Sequence, residues 1–239
     1  MTPSHFKDKS ILEHLKEARA KGYVASLETH GLEMPGPYAA GFDAARETAL
    51  LGGAIFLLIP ALSLGILSKI FLSFLIWKAG RSALLGWARL ERLHRLMKEE
   101  RSEILKNRKE EESELKALYA AKGLSGELLD DVITVLSSDD NRLLEIMLEE
   151  ELGLSLEIHP HPLEQSLGAS IGVFISSFVM LMAFFFYTPG FIPVTLLIMG
   201  LSSYGMAVKE KNNALEAVVW NLSLTTFLFV ITVLLRGIV

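Results

Sequence analysis

Glu100 and Glu103 stand three residues apart, and so do Glu111 and Glu114. At about 100° per residue, all four fall within an arc of about 80° on one helical wheel. A continuous helix would carry them as a single acidic stripe with Asn107 inside it, whereas a turn near Asn107 would let the two pairs converge. Four like charges on one face repel one another and cost stability unless cations occupy that face. Further along, Met147 and Glu151 share a face at i,i+4, and Gly153 ends that helix in the manner of a C-cap. Carboxylates are hard oxygen donors suited to Mg, Ca, Mn and Fe(II), and the Met147 thioether tilts the choice toward a transition metal. The same residues have a plainer reading, a Glu-rich solvated face and a core methionine, and spacing alone leaves both open.

These residues lie in a stretch, Glu99 to Gly153, that carries 16 acidic residues against 7 basic ones. The whole chain of 239 residues is only −5, so the remainder is net positive. Half of the chain is hydrophobic (51%), with mean hydropathy +0.38, yet 21% is charged. That mixture points to segregation into apolar spans and a charged extramembrane part. There are no cysteines, which excludes disulfides and thiolate ligands. The opening MTPSHFKDKS lacks an apolar core, so no cleavable signal peptide is expected. Basic residues do not cluster with aromatics, and no nucleic-acid partner is expected. No P-loop, Ser/His/Asp pattern or dinucleotide fingerprint occurs, so the chain does not read as an enzyme and calls for no organic cofactor.

The elements that must position the glutamates follow from the apolar runs. Residues 1–37 read as a cytoplasmic N-terminal arm, with Ser10 capping a short amphipathic helix to about Val24. From Ala49 to Ile76 runs a largely apolar block of 28 residues whose only charge is Lys69. That is long for one span and short for two. Both flanks are basic (Lys7, Lys9, Lys16, Arg19, Lys21 and Arg46 before it; Lys78, Arg81, Arg89, Arg92 and Arg95 after it), which requires an even number of crossings. Two spans therefore fill residues 38–87, broken at Pro60–Gly65. The second continues as a long helix out of the membrane, with Trp77 and Trp87 marking the interface. Residues 88–165 form the acidic module, ending in the stiff linker His159-Pro160-His161-Pro162. Residues 166–239 hold three more spans: Ser166–Tyr187, Phe191–Val208 and Ala214–Leu235, joined by very short connections. The expectation is an all-α polytopic membrane protein with five transmembrane helices and a cytoplasmic helical metal-binding module between spans 2 and 3, N-terminus inside and C-terminus outside. Lys69 lies inside span 2, as a functional group or one that snorkels to the outer interface. His159 and His161 offer ligands at the membrane surface or simply form a proline-restricted loop.

The segment Glu100 to Leu154 resembles the cytoplasmic metal-binding module of the vacuolar iron transporter family. The matching pieces are the two E-x-x-E pairs at Glu100/Glu103 and Glu111/Glu114, then ELKALYAAKGLS, then IMLEEELGL. The resemblance implies that Glu100, Glu103, Glu111, Glu114, Met147 and Glu151 bind metal. It also implies a five-span homodimer in the lipid bilayer of a bacterial inner membrane or an organelle, moving Fe(II) or Mn(II) out of the cytoplasm in exchange for protons. The family's first span carries an N-D-G motif whose aspartate lines the ion path. Its nearest equivalent here is Gly41-Phe42-Asp43, which makes Asp43, with Glu47 one turn later, the transport-path candidates. Asp43 equally suits the start of a helix, where the macrodipole favours an acid. The chain also departs from the pattern, as a divergent member would. Leu148 replaces a second methionine. By ungapped extension, Lys78 and Ser82 stand where the second span of the family has methionine and glutamate. A lysine in the path repels a dication unless it pairs with Asp43 or Glu47. Small residues are sparser than the family's tightly packed spans require. The alternative to transport is a membrane protein that keeps the module for metal sensing or buffering.

Overall fold

The computed structural model describes residues 36–150 and 161–236. Among them are seven α-helices and no strand: α1 (Pro37–Leu58), α2 (Leu64–Ala121), α3 (Gly126–Leu136), α4 (Asp140–Glu150), α5 (Pro162–Phe186), α6 (Phe191–Glu210) and α7 (Ala214–Arg236), with a 3-10 turn at Thr188–Gly190 before α6. The Ser10 helix, His159, Glu151 and Gly153 lie outside the described residues.

Local chemistry sets most boundaries. Pro37 begins α1, where its missing N–H is no loss, and Ile59, held extended ahead of Pro60, ends it. The Ser63 hydroxyl accepts from the Ile66 amide at 3.3 Å and opens α2. At the other end Gly123 takes φ +101°, and the Leu124 amide reaches back to the Tyr119 carbonyl at 3.2 Å, a Schellman closure. Asp139 caps α4 through the amides of Asn141 and Arg142, both at 3.0 Å. Asn213 caps α7 through the Leu215 amide at 3.2 Å. α2 is interrupted once, at Asn107, whose φ −130° and ψ 34° are not helical.

The chain divides into two compact units. The first contains described residues 36–86 and 161–236. Its helices approach one another closely at small residues. A Cβ built on Gly168 would lie 2.0 Å from the Pro37 carbonyl oxygen, and one on Gly172 would lie 2.0 Å from that of Gly41. Here α1 and α5 touch backbone to backbone, flanked by the buried Ala40, Ala44 and Ala169. Gly168-x-x-x-Gly172 is the small-residue spacing that permits such contact between membrane helices. The small residues present are placed where these two helices cross. The Ser166 hydroxyl donates to the Ala79 carbonyl at 2.8 Å and ties α5 to α2. Buried hydroxyls on the later helices, Thr195, Ser203 and Thr225, turn back onto the carbonyl four residues earlier and so need no partner elsewhere.

The outer surface of this unit is apolar, with Phe174, Phe178, Phe186, Trp220 and Phe227 all exposed. A surface of that kind is lipid-facing rather than wet. Three segments among the described residues, Pro162–Phe186, Thr188–Glu210 and Ala214–Arg236, are long and apolar enough to cross a membrane. α1 is also long enough, with 22 residues, but interleaves Asp43, Arg46 and Glu47. The opening of α2 interleaves Lys69, Lys78 and Arg81. Three spans thus stand on length and composition.

The second unit contains described residues 87–150. Leu93, Leu96 and Ile104 come from α2 before the kink, and Leu115 from beyond it. They form one core with Leu129 and Ile133 of α3 and Leu143, Leu144, Met147 and Leu148 of α4. Because Ile104 and Leu115 enter the same core from opposite sides of Asn107, the helix bends there rather than running on. Arg108, the next residue, donates to the Ser137 carbonyl and to the Asp140 and Glu112 carboxylates. It pins the bend to the α3–α4 loop. Those two carboxylates hold the Arg108 guanidinium above its ordinary value.

Candidate metal centre and membrane carboxylates

The Asn107 bend places the two glutamate pairs on separate helical segments. Glu100 is one turn before Ile104, Glu111 one turn before Leu115 and Glu114 one turn before Leu118, so each shares a face with a core residue. Burial follows: Glu111 is 1% exposed, Glu114 0% and Glu100 4%. Glu103 is half-buried. By contrast Glu99, Glu127, Glu145 and Glu149 are exposed. The solvated-face reading holds for those four and fails for the spaced glutamates. None of the three buried carboxylates is a free charge, since each takes part in a polar or electrostatic interaction.

Met147 is fully buried in the same core, and Leu148 beside it is 1% exposed. Replacing a thioether by Leu148 therefore removes a soft donor while leaving the packing intact. The structure thus brings Glu100, Glu111, Glu114 and Met147 into one unit, half-buries Glu103, and does not describe Glu151. Among the described residues, no three His, Asp or Glu side chains are already gathered in a geometry that holds a metal ion. The donor set suits a divalent transition metal by type, with hard oxygens and one sulfur. Closing it around an ion requires the carboxylates to exchange their present contacts.

The second set of acids lies in the apolar unit. Asp43 is paired with Arg46 one turn along α1. Glu47 accepts from the Lys78 ammonium across to α2, Oε2 to Nζ 2.9 Å. Lys78 is 1% exposed while Glu47 is 44% exposed, so the lysine is enclosed and the carboxylate keeps an open side. Ser82, one turn beyond Lys78, is fully buried and its hydroxyl has no hydrogen-bond partner. Lys69 is exposed on the apolar surface. His161 caps α5, its Nδ1 accepting from the Leu163 amide at 3.2 Å, which gives one ring nitrogen a structural task. The spacing Asp43-x-x-Arg46 was available in the sequence as a signal for an intrahelical pair. Nothing in the sequence chose between Asp43 and Glu47 as the partner of Lys78.

Among known families, the model described as the VIT family fits residues 88–235, more than half of the chain. A search of curated proteins returns no match. The matched range takes in all the spaced glutamates, Met147 and helices α5 to α7. It begins beyond Asp43, Glu47, Lys78 and Ser82.

Proposed function

The chain belongs to the vacuolar iron transporter family, and on that premise we propose that it carries Fe(II) or Mn(II) out of the cytoplasm in exchange for protons. Membership supports a membrane metal-ion transporter rather than an enzyme. In our reading α1 and the first part of α2 complete five spans with α5, α6 and α7. The N-terminus and the acidic module face the cytoplasm, and two copies associate in the bilayer. Glu100, Glu103, Glu111, Glu114, Met147 and Glu151 take the cargo ion from the cytoplasm. Asp43 and Glu47 then pass it across. Carboxylates serve both steps because protonation releases metal, which is the chemical basis for coupling to a proton gradient.

The observation that carries this reading is the burial of Glu100, Glu111 and Glu114 in the unit that also buries Met147. A protein that keeps carboxylates only for solubility leaves them at the surface. Uptake of Fe(II) and Mn(II) into proteoliposomes, with and without an imposed pH gradient, tests it. Flux that grows with the gradient supports antiport.

The pairing of both Asp43 and Glu47 with basic residues favours a second reading, a non-transporting membrane protein that senses or buffers metal through the module. No flux at any gradient, with metal binding intact, selects it.

A further inference from the structure

We propose that Lys78 is a tethered cation that holds Glu47 in place of a metal ion. On this view the membrane carboxylate accepts a divalent cation only when Lys78 is displaced. The inference rests on the reading of Asp43 and Glu47 as the membrane path.

An enclosed ammonium inside an apolar unit is tolerated only beside a compensating acid. Glu47 provides it at 2.9 Å. The pair joins two helices, whereas Asp43 and Arg46 lie on one. Each acid thus has a base against it. A dication approaching from the open side of Glu47 finds a carboxylate already held by the Lys78 ammonium. Two cations on one carboxylate repel at contact distance far more strongly in an apolar surrounding than in water. Metal occupancy and the Lys78 contact therefore exclude each other at Glu47. The unpartnered, fully buried Ser82 hydroxyl, one turn along the same helix, offers the displaced ammonium a neutral acceptor.

The test uses the full chain in detergent or nanodiscs, in an E100Q/E103Q/E111Q/E114Q background that silences the module, with Mn(II) binding read by electron paramagnetic resonance. The background alone should show no Mn(II) held by Glu47. Adding K78M, which fills the same enclosed space without charge, should create a Mn(II) site at least about tenfold tighter than any residual binding, as removal of one contact charge requires. Adding E47Q to that variant should abolish the new site. If K78M elutes aggregated, K78Q, which keeps a polar contact to Glu47, replaces it with the same expected outcome. A folded K78M or K78Q chain that gains no Mn(II) overturns the proposal, and so does a gained site that survives E47Q. Failure of the transport reading looks different. Parental proteoliposomes without flux, alongside a Glu47-dependent site in K78M, remove transport and leave the tethered cation standing. Parental flux with no gain in either variant removes only the tethered cation.

Discussion

Gly172→Ala should destabilise the apolar unit, although alanine is the better helix former. A Cβ at position 172 would sit 2.0 Å from the Gly41 carbonyl oxygen, where ordinary contact begins at 3.4 Å. The obstacle is backbone, so no side chain can swing aside, and α1 and α5 must separate by about 1.4 Å. Overpacking of that kind costs about 1–3 kcal/mol. For a chain of this length each kcal/mol moves the midpoint by about 2–4 °C, so Tm should fall by about 2–12 °C. The control is Gly80→Ala in α2, the same chemical change in the same unit, with nothing within 4 Å of its Cβ. There alanine gains up to about 1 kcal/mol of helix propensity and Tm should hold or rise. Thermal unfolding of both variants in one detergent, followed by circular dichroism, gives the comparison. If the two midpoints coincide, or Gly172→Ala rises with Gly80→Ala, the backbone contact between α1 and α5 is not what joins these helices.

Met147→Leu keeps the buried volume, should cost less than about 1.5 kcal/mol, and should weaken Mn(II) or Fe(II) binding to the module if the thioether is a ligand. Met147→Ala should cost about 2–5 kcal/mol whatever the metal does, so thermal unfolding separates packing from ligation. The quadruple E100Q/E103Q/E111Q/E114Q chain should lose module metal binding in calorimetric titration; binding equal to the parent removes both metal readings and favours a helical interaction scaffold. Arg108→Ala should speed hydrogen exchange at Ser137–Asn141, because the side chain ties the α2 bend to that loop. Arg108 is held above its ordinary value, so its contribution is complete throughout the neutral range and is lost only at strongly alkaline pH; exchange in that loop should show no arginine titration at neutral pH.

Most of the helix boundaries were legible because they are written in local chemistry. Pro60 ends one helix, Thr188-Pro189-Gly190 breaks α5 from α6, and Lys209 to Asn213 separates α6 from α7. The bend at Asn107 was legible only as one of two options. Asparagine is a mediocre helix residue but not a breaker, and the choice was made by Ile104 and Leu115 sharing a core. Burial of the spaced glutamates could not be read from spacing, since an acidic stripe at i,i+3 looks the same on a wet face and against a core. Their i,i+4 neighbours Ile104, Leu115 and Leu118 carried a hint, because an apolar residue one turn away often marks the inward side. The α1–α5 crossing is written in Gly168-x-x-x-Gly172, although that spacing alone does not say which helix it meets. The partner of Lys78 was not legible. It depends on the rotational setting of two helices that are adjacent in space at residues 47 and 78, and no local rule supplies that.

The two sets of carboxylates differ in what surrounds them, and that difference bears on how the protein works. In the module three glutamates are buried in the same unit as the buried Met147, at positions that the family match covers. In the apolar unit two acids are met by two bases, at positions that precede the match. The first set is held on either side of the α2 bend in the module, and the second is paired with bases on α1 and α2. On the proposed reading a dication meets them as two separate sites, the second already held by a resident cation. Capture and passage are then separable steps with separate determinants: module variants should change module affinity at constant gradient dependence, and variants at Lys78 should change turnover at constant module affinity. On the proposed reading the limiting step is release of Lys78 from Glu47 rather than binding. Raising the metal concentration beyond saturation of the module should then leave flux in the parent unchanged, while a steeper proton gradient should still increase it.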